Sequence, residues 1–199
     1  MKKSAKNYLR SLLLLTTLFF TVQAYSDGDS FEYNLYNNYG VVGTIHTPSA
    51  RTFEEGVHGM TVYYGDPNQT VTLSASPFDW LEASFFYTNV KDRPYCYDFT
   101  SPTCLQDFKD KGFNFKVRLK EQGKLPAIAI GLNDFAGTGI YSSEYIVGSY
   151  GINRTDFHFG LGFGLLDGSD LNFKNPLTYI SDKFNDRPTE TEGCLLYTS

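Results

Sequence analysis

At both ends of the stretch from Gly112 to Leu165 apolar side chains recur at every second position, and that period admits one kind of backbone. In residues 112–120, Phe113, Phe115, Val117 and Leu119 alternate with Asn114, Lys116, Arg118 and Lys120. In residues 156–165, Phe157, Phe159, Leu161, Phe163 and Leu165 alternate with Asp156, His158 and three glycines. Successive side chains of a strand point to opposite faces, whereas a helix of period 3.6 would scatter these residues around its circumference. Both segments are therefore two-faced β-strands. The 15 Tyr, 17 Phe and 18 Gly of the chain fit the same class, since aromatic residues suit a pleated surface.

The 199 residues suffice for one β domain. After the N-terminus no run approaches the roughly 20 consecutive apolar residues of a membrane-spanning helix, so a helical membrane protein is excluded. A barrel in an outer membrane stays open, because its strands show lipid only at alternate positions. Residues 1–24 read as a secretory signal peptide: Lys2, Lys3, Lys6 and Arg10 precede the apolar run Leu12 to Val22, and Val22-Gln23-Ala24 ends it with small residues where a peptidase cuts, before Tyr25. The alternative, a transmembrane anchor, fails on length. No cysteine lies near the cut, so lipid attachment there is unsupported. Removing the four basic residues takes the formal charge from −5 to −9, which argues against nucleic acid as a partner.

Cys96 and Cys104 flank a short loop, and in an exported chain they read as a loop-stapling disulfide, with free thiols or half a metal site as the alternatives. A metal is disfavoured because His46, His58 and His158 are scattered. No cofactor is expected. Residues 193–199, with Cys194, have neither alternation nor a place in the fold, and read as a non-native tail. The natural chain is then expected to continue past about Glu192.

Residues 25–39 form an irregular lead-in, and residues 40–192 the domain itself, expected to be part of a β-barrel. Gly40 to Arg51 starts strand-like and is stopped by Pro48, and a turn or short helix follows through Gly56. Strands are predicted at 59–64 and 69–76, joined by the turn Gly65-Asp66-Pro67-Asn68. A long strand, 80–90, places Leu81, Ala83, Phe85 and Tyr87 on one face. The charged, Pro-containing span 91–111 reads as a long loop. Strands at 112–120, 125–132, 142–150 and 156–165 complete a tally of about seven, with a glycine-rich loop at 133–140. Sequential strands with short and long connections alternating make an antiparallel meander. Barrel closure would remove its edges; bacterial barrels have even strand numbers, and the remainder is expected beyond this chain.

The polar faces carry Glu82, Lys116, Arg118, Glu144, Asp156 and His158. A soluble barrel would turn the apolar face inward, and an outer-membrane barrel would turn it outward. The signal peptide, the aromatic residues near strand ends (Tyr63, Tyr64, Trp80, Tyr87, Tyr145, Tyr150) and the alternating connections favour the outward reading.

The segments Gly40 to Arg51, Trp80-Leu-Glu-Ala-Ser84, Lys109-Asp-Lys-Gly-Phe113, Pro126 to Leu132 and Asp134 to Tyr145 resemble, in the same order, the YjbH-type exopolysaccharide-biosynthesis proteins. The resemblance covers about Tyr39 to Leu166. It implies an outer-membrane β-barrel that accompanies operons for secretion of exopolysaccharide or capsule, with outer-membrane lipid and other secretion proteins as partners. Some members are lipoproteins and most are much longer; this chain differs on both counts.

No Gly-x-Ser-x-Gly elbow, His-Glu-x-x-His or phosphate-binding loop occurs. Gly137-Thr-Gly139 lacks the third glycine and following helix of a nucleotide fingerprint. Glycoside hydrolysis needs two carboxylates across a cleft; Glu82 and Glu144 are the candidates, against a salt-bridging role with Lys116 or Arg118. Lys116, Arg118 and Lys120 form a basic row that could guide an anionic polysaccharide along a lumen, against neutralising Glu82, Glu144 and Asp156. His158 joins these residues as a lumen candidate. Arg51 has a structural role or a periplasmic contact. The expected function is a non-enzymatic outer-membrane barrel in exopolysaccharide export or assembly. The rivals are a soluble periplasmic barrel binding a small ligand or saccharide, and a polymer-modifying enzyme.

Overall fold

The computed structural model describes residues 34–95, 106–167 and 174–184, the side chains of 92–95, 106 and 183 excepted. The signal peptide, Cys96, Cys104 and the 193–199 tail lie outside the described residues. Two short strands, β1 (Gly43–Thr44) and β2 (Thr47–Pro48), make a tight hairpin. Seven more form one antiparallel sheet in chain order: β3 (His58–Tyr64), β4 (Asn68–Phe78), β5 (Leu81–Tyr95), β6 (Gln106–Lys120), β7 (Ala127–Phe135), β8 (Ser143–Ile152) and β9 (Thr155–Gly164). The all-β antiparallel meander is as the alternation predicts. Among the described residues the sheet is open, with β3 and β9 as its edges. No described helix is long and apolar enough to cross a membrane.

Register carries the two-faced pattern across the whole sheet. Met60, Leu73, Phe85 and Phe113 stand in one cross-strand row. Leu81, Val117, Ile130, Ile146 and Leu161 stand in another. These rows are on the outer face, which residues 174–184 overlie in part at β6 to β9: Met60 is 63% exposed, Val62 64%, Phe159 59% and Leu161 60%. The opposite face is polar and buried, with Thr72, Ser74, Glu82, Ser84, Thr88, Asn114, Lys116, Asn133 and Ser149 all shielded. A sheet in water would do the reverse, since burying apolar area gains about 25 cal/mol per Å².

Two expectations need correction. The span 91–111 is not all loop, because β5 continues to Tyr95 and β6 begins at Gln106. The alternation persists there with its polarity exchanged: Asp107 and Lys109 are exposed, whereas Val90, Phe108 and Asp110 are buried. Charge on the outer face gives a strand the composition of a loop. Residues 40–51 do contain strand that stops at Pro48, but β1 and β2 pair only with each other and do not join the seven-stranded sheet. Residues 34–53 instead lie over the polar face, anchored by long-range bonds and by local turns such as Asn37 N–H to Val41 O at 2.8 Å.

What covers the buried face is thus this segment. Ala50 packs with Ala127, Ala129, Tyr145 and Val147, with Leu166 against them. That apolar cluster is small. Gly40 permits the close approach: its φ is +73°, and a Cβ there would stand 2.4 Å from both the Ser74 hydroxyl and the Thr72 methyl. Gly40→Ala combines left-handed strain with overpacking, so it is expected to cost about 2–4 kcal/mol. Limited proteolysis at Arg51 and denaturant unfolding check this; unaltered protease resistance would mean that the contact does not seat the segment.

Candidate functional site

Glu82 on β5 and Lys116 on β6 are direct cross-strand partners on the inner face. Lys116 Nζ lies 2.6 Å from Glu82 Oε2, and Lys116 is fully buried. An ammonium in such a place needs all three of its N–H groups satisfied. The other two go to the covering segment, to Val42 O at 2.9 Å and Arg51 O at 2.6 Å. Glu82 does the same with its acceptors, taking Val42 N–H at 3.1 Å and Phe53 N–H at 3.2 Å. The segment's backbone and the ion pair therefore complete each other.

Around this pair the inner face is closed by further polar bonds. Tyr39 O accepts from Asn114 Nδ2 at 2.8 Å and from the Ser84 hydroxyl. Ala50 N–H donates to Ser149 Oγ at 2.8 Å, and the same oxygen lies 2.8 Å from His158 Nδ1. At the β8–β9 end, Arg51 donates two bonds of 2.9 Å to the Asp156 carboxylate and a third to Gln122 Oε1. Gln122 in turn brackets Gly151, accepting its N–H at 2.7 Å and donating to its carbonyl at 2.9 Å. Burial raises the Tyr36 and Tyr39 phenols above their ordinary range, and at Tyr36 the Glu82 charge adds to it.

The six sequence-predicted lumen candidates do not form one cluster. Glu82 and Lys116 pair, and His158 lies on the same face beside Ser149. Arg118, at the end of β6, contacts Glu121 at 2.7 Å and Asp79 at 3.7 Å. Lys120 is exposed, past a register shift between Arg118 and itself. The basic row is thus split into three environments. Glu144 is corrected to the opposite face: it stands in register between Leu132 and Phe163, 4% exposed, and accepts from Asn175 Nδ2 at 2.9 Å. Glu82 and Glu144 accordingly do not face each other across a cleft.

Sequence reasoning missed Asn37, Asn114, Gln122 and Ser149 as anchors. Asn114, Gln122 and Ser149 bond to residues distant in sequence, which no spacing signals, whereas Asn37 Oδ1 accepts from the nearby Tyr39 and Val41 N–H groups. Among the described residues no group of three or more His, Cys, Asp or Glu could hold a metal.

Among the described residues the antiparallel meander turns its apolar rows outward and its polar rows toward the covering segment. The chain belongs to the YjbH family, whose model, described as exopolysaccharide biosynthesis protein YbjH, matches residues 35–198. A relative from Escherichia coli (strain K12), named uncharacterized lipoprotein YjbH, is 38% identical over 149 residues, 74% of this chain. The chain spans 21% of that relative's length. No solved structure matches it.

Removing one member of a buried ion pair leaves the other uncompensated, at about 3–5 kcal/mol. Lys116→Met and Glu82→Gln are each expected to destabilise by that order. The double variant should cost at least about 1 kcal/mol less than their sum, because directly paired residues couple. A double-mutant cycle in denaturant tests it, and strict additivity would disprove the coupling.

Proposed function

We propose that this chain forms part of an outer-membrane β-barrel, non-enzymatic, that takes part in exopolysaccharide export or assembly. The observation that carries the reading is the polarity of the sheet: the outer face is apolar and largely exposed, and the face under residues 34–53 is charged and hydrogen-bonded. In water an exposed apolar surface of several strands is unfavourable and marks an interface. Lipid acyl chains supply that interface in an outer-membrane barrel, whose lumen is polar and in some cases plugged.

Aromatic placement supports it. Phe78 and Trp80 stack with ring centroids 5.2 Å apart at one end of the sheet, and Tyr64, beneath Lys91 Nζ at 4.8 Å, stands at the other. Along β4 those levels are separated by roughly 30 Å at ~3.3 Å per residue, which matches an apolar band of ~25 Å once strands tilt. From the Tyr64 level onward the outer positions of β6 turn charged, with Lys109 in the Tyr64 row and Asp107 past it. The two edges, β3 and β9, would pair with further chain on closure. The pathway assignment comes from the family, whose description names exopolysaccharide biosynthesis.

A lipid-soluble photoreagent applied to membranes carrying the full-length protein is expected to label Met60, Val62, Leu73, Phe159 and Leu161. It should spare Ser84, Asn114 and Lys116. Labelling of the second set in preference to the first, or release of the protein by alkaline washing without detergent, would overturn the reading in favour of a soluble periplasmic barrel.

A further inference from the structure

Next to the covering segment the inner face keeps a narrow cleft of about 90 Å³, walled by Asn38, Tyr39 and His46 from the segment and by Tyr63, Asn68 and Tyr141 from the sheet and its connections. Its chemistry differs from the rest of the inner face. Where Lys116 and Glu82 are charged and sealed, this wall is aromatic and amide-lined, with His46 as its one titratable side chain besides the tyrosines. We propose that it is a contact site for uncharged sugar residues of a polysaccharide.

Sugar rings present two surfaces, a flat one of C–H groups and a rim of hydroxyls. The first packs on aromatic faces, and the second needs donors and acceptors held in fixed directions. Tyr39, Tyr63 and Tyr141 supply rings at the cleft. Tyr141 is fixed by its hydroxyl bond of 2.9 Å to Asn68 Oδ1 and by an edge contact to Phe86 at 6.0 Å. Asn68 thereby keeps its amide N–H groups for a ligand, and Asn38, whose Nδ2 meets His46 Nε2 at 3.3 Å, keeps its carbonyl.

The wall is also built rather than incidental. His46 sits at the tip of the β1–β2 hairpin beside Ile45, an exposed β-branched residue at φ 48°. A left-handed isoleucine is strained, and such strain persists only where surrounding bonds impose it. Here Asn38 N–H donates to Ile45 O at 2.7 Å, and the Tyr39 ring meets His46 edge-on at 6.0 Å. The hairpin is held so that His46 separates this cleft from a second one of about 180 Å³, walled by Tyr145, Val147, Gly160 and Gly162.

Volume and charge narrow the ligand. Ligand pockets that enclose a small molecule span roughly 300–1,000 Å³, so a cleft this small touches one face of a ring and does not enclose it. That suits transient contact with a polymer in passage. Ionic guidance along the inner face is weak, because Lys116 is sealed in its ion pair and Arg118 lies against Glu121.

The inference rests on the barrel reading but is tested separately. In cells that secrete polymer, a photo-crosslinking phenylalanine analogue placed at Tyr63 in the full-length protein is expected to capture carbohydrate. The same analogue at the outer-face Leu73 should not. The second arm is the double variant Tyr63→Ala with Asn68→Ala, expected to lower secreted polymer at least about threefold while membrane-extracted protein stays at its normal level. No carbohydrate at Tyr63, or equal capture at Leu73, overturns the site. So does unchanged polymer output from the double variant. Failure of the barrel itself would appear instead in the photoreagent pattern and in extraction without detergent.

Discussion

The buried pair of Lys116 and Glu82 is the constraint on which the arrangement depends. Two charges taken out of water lose several kcal/mol of hydration each, and attraction between them restores this only when every remaining donor and acceptor is satisfied. Neither strand can do that alone. The missing partners are backbone groups of Val42, Arg51 and Phe53, so the covering segment must be in place before β5 and β6 can be dry on that side. The dependence runs the other way too. With only two-residue strands of its own, the segment has little internal structure, and its order comes from the sheet beneath it.

This reverses the usual division between core and surface. Among the described residues the clustered apolar core is five residues, three of them alanine, and most of the buried residues are polar or charged. Hydrogen bonds in such a core specify position more than they add net stability, each being worth about 1 kcal/mol after exchange with water. The large apolar area lies on the other face, where an apolar medium or a further protein layer would have to gain from it. A fold of this kind is stabilised mainly by what surrounds it.

The strands were legible because period two survives any choice of medium. The rows Phe113 to Leu119 and Phe157 to Leu165 are readable without knowing which face meets water. Where reading failed, the cause was local. At Asp107 to Asp110 the alternation continues with charge on the outer face at Asp107 and Lys109, and a charged stretch with proline looks like loop. In β8 both faces are mixed: Ser143, Tyr145 and Val147 alternate with Glu144, Ile146 and Gly148, so only its charge argues for Glu144 on the polar side. The covering segment was illegible for another reason. Its bonds to the sheet and its connections join residues 27 to 105 positions apart, and no periodicity records a backbone carbonyl that waits for a lysine.

Glu144 is the feature that plain lipid contact explains least. A carboxylate in an apolar outer row would be costly against acyl chains, yet here it is almost fully buried by protein. Residues 174–184, with one-turn helices at Pro176–Tyr179 and Asp182–Phe184, lie over it. Asn175 donates to its oxygen, and Leu177 and Phe184 face Phe115, Ile130 and Phe163 across a largely apolar cavity of about 430 Å³. The acid and its cover thus mark a place where the outer surface of the sheet is a contact between parts of the chain. Under the barrel reading, the apolar band is then interrupted along β6 to β9, and the lipid boundary lies on the flanks, at Met60, Val62 and Leu73 on one side and Phe157 and Phe159 on the other.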